Sequence, residues 1–80
     1  MDPIRYGAGA TLLQPRKPGK TTSLVRAVQE MAEMPRADRA LATITVGDEA
    51  GIRNEAGTPK TLLLEADVIQ IFQRPDFPKK

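Results

Sequence analysis

Two windows of the chain repeat apolar and polar positions with periods that name their secondary structure. Over residues 21–34, Leu24, Ala27, Val28 and Met31 recur at i, i+3, i+4 and i+7, while Arg26, Gln29, Glu30 and Glu33 take the other side. That spacing predicts a helix with one buried face. Thr21 or Thr22 can cap its start, because a hydroxyl accepts from an amide that lacks an intrahelical partner. Pro35 disfavours helical geometry at Met34 and ends it there. Over residues 41–47 the period changes to two. Ala42, Ile44 and Val46 lie on one side and Thr43 and Thr45 on the other, so this window predicts a half-buried strand.

The densest apolar stretch is 58–77, with Leu62, Leu63, Leu64, Val68, Ile69, Ile71, Phe72 and Phe77. Leu64, Val68, Ile71 and Phe72 share one helical face, Glu65 and Asp67 suit the positive end of a helix dipole, and Pro75 supplies a stop. A strand finishing over 60–63, followed by a helix from Leu64 or Glu65 to Gln73, satisfies these signals together. The same residues also admit a helix opening at Pro59 with Thr58 as its cap. Leu63 and Ile69 are apolar on flanks that a thin amphipathic helix leaves wet, so they call for cover on more than one side or for a partner.

Between these windows, residues 47–57 read as a loop rich in glycine and charge, with Ile52 tucked in, and the strand after it returns antiparallel to the first. Residues 35–39 are a charged connection or one extra helical turn. Residues 1–19 carry three of the seven prolines and three of the six glycines, which predicts an extended arm anchored by Tyr6, Leu12 and Leu13. A short edge strand near residues 10–14 is the alternative there. At the other end Phe77 is expected to fold back, with Lys79 and Lys80 solvated. The fold class is therefore α+β: a flexible basic arm over 1–19, then a single domain over 20–80. In that domain two helices cover one face of a short antiparallel hairpin or sheet.

Composition narrows the chemistry. The chain has 80 residues, no cysteine and no histidine, so disulfides and metal sites built from thiolate and imidazole are excluded. So small a domain has a thin margin of stability, and association with a second subunit is a common aid. No run of about twenty apolar residues is present to cross a bilayer. The first residues lack the basic-then-apolar order of a secretory signal, and the cytoplasm is the expected location.

The net charge of +2 is small, but Arg16, Lys17, Lys20 and Arg26 fall within a segment free of acidic residues. Gly19-Lys20-Thr21-Thr22 looks like the end of a phosphate-binding loop. That pattern wants glycine where Gln14 stands, and Pro15 and Pro18 remove amides that such a cradle uses. What survives is a weaker anion site at the first helix, with Arg16, Lys17, Lys20 and Arg26 touching phosphates of a nucleic acid. With three aromatic residues in all, base stacking has little to work with.

Asp48, Glu49 and Glu55 lack the alternation of a calcium loop. Glu65 and Asp67, two positions apart on a helix, point about 200° from each other and cannot flank one substrate atom. No enzyme activity and no cofactor are expected. The leading expectation is a small protein–protein interaction module, an adaptor, inhibitor or accessory subunit, that binds another protein or itself through Leu63, Ile69, Phe77 and Met34. Nucleic-acid binding through the basic residues is the alternative.

Overall fold

The computed structural model describes residues 4–78, with the backbone alone at 17 and 18. Four strands and three helices follow one another in the order β1 (Gly9–Gln14), β2 (Lys17–Ser23), α1 (Leu24–Ala32), α2 (Arg36–Leu41), β3 (Thr43–Val46), β4 (Leu62–Leu63) and α3 (Glu65–Phe72). A 3-10 turn at Asp48–Ala50 follows β3. The strands form one sheet in the order β2-β1-β3-β4, antiparallel throughout. This is the expected α+β class, with helices α1 and α3 on one face of the sheet and the short α2 added.

Alternation along the strands decides which side chains meet the helices. Ala10 and Leu12 of β1, Ile44 and Val46 of β3, and Leu63 of β4 are buried, and they meet Leu24, Ala27, Val28 and Met31 of α1 with Val68 and Ile71 of α3. Each large aliphatic side chain buried this way contributes about 1.5–3 kcal/mol of transfer free energy. The α1 face is the one the periodicity predicts; of the face predicted for α3, Val68 and Ile71 are buried and Phe72 partly so, while Leu64 precedes the helix and is half exposed.

The N-terminal segment departs from expectation. Gly9–Gln14 is not an arm but an interior strand, bonded to β2 on one side and β3 on the other. Residues 17–19, also assigned to the arm, begin β2. Pro18 falls on the edge strand of the sheet, where proline is tolerated. Thr21 and Thr22 pair with Thr11 and Ala10 as strand residues, so the α1 cap passes to Ser23, whose hydroxyl accepts from the Arg26 amide at 3.3 Å. Residues 1–3 and the pair Lys79 and Lys80 lie outside the described residues.

The strand foreseen over residues 58–63 shortens to Leu62–Leu63 for a local reason. Pro59 has no amide, the Lys60 amide donates to Ile52 O at 2.8 Å, and Arg53 bridges Pro59. Residues 52–60 are thus a small hairpin of their own. Its turn is held by Asn54, whose side-chain oxygen accepts from the Ala56 and Thr58 amides, each at 3.0 Å. Gly57 supplies the left-handed backbone there, at φ 84°. The alternative helix from Pro59 does not form. Helix α3 starts at Glu65, with Asp67 accepting from the Leu64 amide at 3.2 Å.

The two ends of the described chain are fastened together. The Tyr6 ring meets Phe77 edge-on with centroids 5.3 Å apart, and its hydroxyl donates to Asp76 at 2.9 Å. Arg74 holds the same carboxylate through two bonds. Phe77 is buried, as expected.

Candidate interaction surface

Among the described residues the second face of the sheet carries no helix, and the register fixes what it displays. Ala10, Leu12, Ile44, Val46 and Leu63 point toward the helices, so Thr11, Leu13, Thr43, Thr45 and Leu62 point away. Across the strands they form two rows. Thr21, Thr11, Thr45 and Leu62 are successive partners in one, and Leu13 faces Thr43 in the other. Leu64, one residue past the pair of Ile44 with Leu63, falls level with Thr43. Leu13, Leu62 and Leu64 are 44%, 50% and 51% exposed.

Gly19 gives this face its relief. A Cβ at Gly19 would lie 2.7 Å from Leu13 Cδ2 and 3.1 Å from Thr11 Cγ2. Leu13 therefore lies over the bare backbone of β2 and is seated rather than waving in solvent. Leu41, at the end of α2, is the most exposed of the large apolar side chains, at 72%. Scattered exposed leucines are ordinary on a protein surface. On this face the register sets Leu62 and Leu64 along one sheet edge, with Leu13 two strands away beyond Thr43.

The expected partner residues fall elsewhere. Leu63 is fully buried against the helices and Phe77 is 4% exposed, so both are core and present nothing to a partner. Alternation explains Leu63: as a strand residue beside Ile44 it takes the covered side, and its neighbours Leu62 and Leu64 take the open one. Met34 is half-buried against the core, and Ile69 is half-buried on α3. Neither lies on the open face. The signal for that face was the threonine side of the 41–47 alternation, which marks a wet surface without saying how far it extends.

The basic candidates are not gathered into a free site. Gly19-Lys20-Thr21-Thr22 lies on β2, not on a loop before a helix. The first amides of α1 are occupied: Leu24 donates to Ala8 O and Val25 to Tyr6 O, each at 2.8 Å, and Arg26 to Ser23. No amide is left there for a phosphate, which corrects the expectation of an anion site at that helix start. Lys20 and Arg26 both approach Glu30, at 2.9 and 3.8 Å. Arg16 is exposed at the β1–β2 turn and borders a cleft of about 350 Å³ whose other charged residues are Glu30, Glu33 and Asp38. The Lys17 side chain lies outside the described residues.

The carboxylates available for chemistry on α3 are tied up as well. Glu65 accepts from Arg39 at 2.8 Å and Asp67 from Lys60 at 2.7 Å. Partial burial pushes the Asp67 carboxyl up, but the Lys60 ammonium and the Leu64 amide outweigh it and hold the group below its usual value. The bonds from Arg74 hold Asp76 low in the same way. Among the described residues no group of acidic side chains is placed to hold a metal ion, Asp48, Glu49 and Glu55 included. Nor is any helix among them long and apolar enough to cross a membrane. No family model, curated protein or solved structure matches the chain.

Proposed function

We propose that the protein is a small non-catalytic interaction module that docks another protein surface on the open face of its sheet. The observation that carries this reading is the bare face itself: a four-stranded sheet covered on one side only, with Leu13, Leu62 and Leu64 about half exposed. Burying such side chains against a partner gains the transfer free energy that the fold leaves unused. Support for a non-catalytic role comes from a chain without histidine or cysteine whose carboxylates at Glu30, Glu65, Asp67 and Asp76 are all engaged by cations. The alternative, binding of nucleic acid, has less to stand on, since Lys20 and Arg26 share Glu30 and the helix start is closed.

Affinity capture from a lysate of the source organism, with three forms of the protein as bait, tests the reading. Leu13→Lys with Leu62→Lys places two charges on the open face. Gln70→Lys with Gln73→Lys adds the same charge on exposed positions of α3 and its end. A partner held by the unmodified protein and by the α3 variant, and lost from the open-face variant, is the expected result, with matching thermal melts for all three. A partner retained by the open-face variant and lost from the α3 variant overturns it. A gel shift with DNA or RNA that fades as salt rises would favour the alternative instead.

A further inference from the structure

We infer that residues 74–78 form a strap that opens as one unit while the rest of the fold stays closed, and that the Asp76 carboxylate is its latch. The inference does not rest on the docking reading, because the strap lies against α1 and the N-terminal segment rather than on the open face. It starts from how unequally the two sides of this contact are held. Tyr6 belongs to a segment stitched to the body by its backbone: the Arg5 amide donates to Ala50 O and the Val25 amide to Tyr6 O, each at 2.8 Å. The strap lacks such stitching. Among the described residues its backbone-to-backbone bonds stay local, from Arg74 to Ile71 O at 3.1 Å and from Phe77 to Arg74 O at 3.2 Å.

Side chains hold it down instead. The Phe77 ring meets Tyr6 edge-on and Phe72 at a tilt of 56°, each with centroids 5.3 Å apart, so all three aromatic residues of the chain share one cluster. Asp76 accepts from the Tyr6 hydroxyl at 2.9 Å, and Arg74, within the strap, grips the same carboxylate at 2.9 and 3.2 Å and keeps it aimed at Tyr6. The Gln29 side-chain amide reaches Pro78 O at a long 3.4 Å. Of the bonds that leave the strap, the one from Tyr6 to Asp76 alone is charge-assisted.

Magnitudes make the closed strap a narrow winner. Fixing the backbone of roughly five residues costs at least as much as burying one phenylalanine returns. Pro75 and Pro78 reduce that cost, since each also fixes φ when the strap is open. The ring contacts and the latch close the remaining gap, which leaves the open form on the order of 1% of molecules. Opening lifts Phe77 away and bares Tyr6 and Phe72 together, while Tyr6 stays with the body through its backbone bond to Val25.

Amide hydrogen exchange of the full chain, followed by NMR as urea rises below the unfolding transition, tests this. The Phe77 amide should be protected on the order of 100-fold, with no dependence on urea. Val28, buried in α1, should be protected far more strongly and lose protection as urea rises. Asp76→Asn should lower the Phe77 protection about two- to fivefold, the range for a surface charge pair, and keep it independent of urea. Asp67→Asn, which removes the carboxylate bonded to Lys60, should leave Phe77 as it is in the unmodified protein. Phe77 protected as strongly as Val28, with the same urea dependence, overturns the inference, because the segment then opens only with the whole fold. An unprotected Phe77 amide overturns it too, because no strap is then closed. No change on Asp76→Asn, or an equal loss on Asp67→Asn, overturns the assignment of the latch.

Discussion

The two faces of the sheet are made by the same strands, residue by alternate residue, yet one is the core of the protein and the other is bare. Leu62 and Leu63 are chemically identical neighbours in β4, one half exposed and one fully buried. Composition does not separate them. The separation comes from pairing: Leu63 stands beside Ile44, whose side chain faces α1 and α3, and Leu62 stands beside Thr45, whose side chain faces nothing. A shift of one residue would exchange them, and the threonines of β3 hold the register by leaving no apolar set to bury on the other side.

The sharpest way to break this comparison is to truncate both leucines. Leu63→Ala removes atoms from a closed core and should cost about 2–5 kcal/mol. Leu62→Ala removes atoms already half in water and should stay within about 0.5 kcal/mol. Urea unfolding midpoints of the two variants measure the contrast. Equal losses would mean that the open face is covered in solution, and a loss at Leu62 that grows with protein concentration would point to a second copy.

A smaller effect tests how the covered side is closed. Ser23 ends β2 and caps α1 in one residue, so Ser23→Ala should cost about 1 kcal/mol, the usual worth of such a cap. Thr21, exposed on the open face, should tolerate alanine within about 0.5 kcal/mol. A thermal melt of each variant suffices. If Thr21→Ala proves the costlier, the threonine ladder of the open face does more for the sheet than its exposure suggests.

The helices and β3 were legible because each buries one face and leaves the other wet, so a single period shows in the letters. β1 was not. Its inward residues are Ala10 and Leu12 and its outward ones Gly9, Thr11 and Leu13, so neither size nor polarity alternates cleanly along it, and the flanking glycines and prolines read as punctuation. What makes it a strand is the ladder on both sides, a tertiary fact. The same limit hid the site. Leu63 and Phe77 were chosen as partner residues for being apolar, but exposure of an apolar residue depends on which neighbour it pairs with, and Leu62 looks no different from Leu63 until β3 is beside it. The Gly-Lys-Thr-Thr signal misled for the opposite reason: the letters fit a loop, and β-branched threonines next to β1 fit a strand better.

The smallest effect is chemical, and it should appear on one face only. Asp67 of α3 takes a bond from Lys60, just before β4, and another from the Leu64 amide, and these hold its carboxyl below the usual value of 3.8. A carboxyl lowered on folding lends stability that is complete above its unfolded value and disappears as the pH falls through its folded one. Acidification below pH 3.8 should therefore loosen the seam between Lys60 and α3, by no more than the roughly 0–1 kcal/mol such partly exposed pairs are worth. The rows Thr11–Thr45–Leu62 and Leu13–Thr43–Leu64 carry no titratable side chain, and the carboxylate that does reach that side, Glu49, lies over Gly47, past the end of β3. In a pH titration followed by amide shifts, Leu64 and Asp67 should move in that acid window while Thr11 and Thr45 hold still, and Asp67→Asn should erase the Leu64 transition. Movement of Thr11 and Thr45 with the same midpoint would show that the two faces respond as one body, and the contrast between them would then be one of exposure alone.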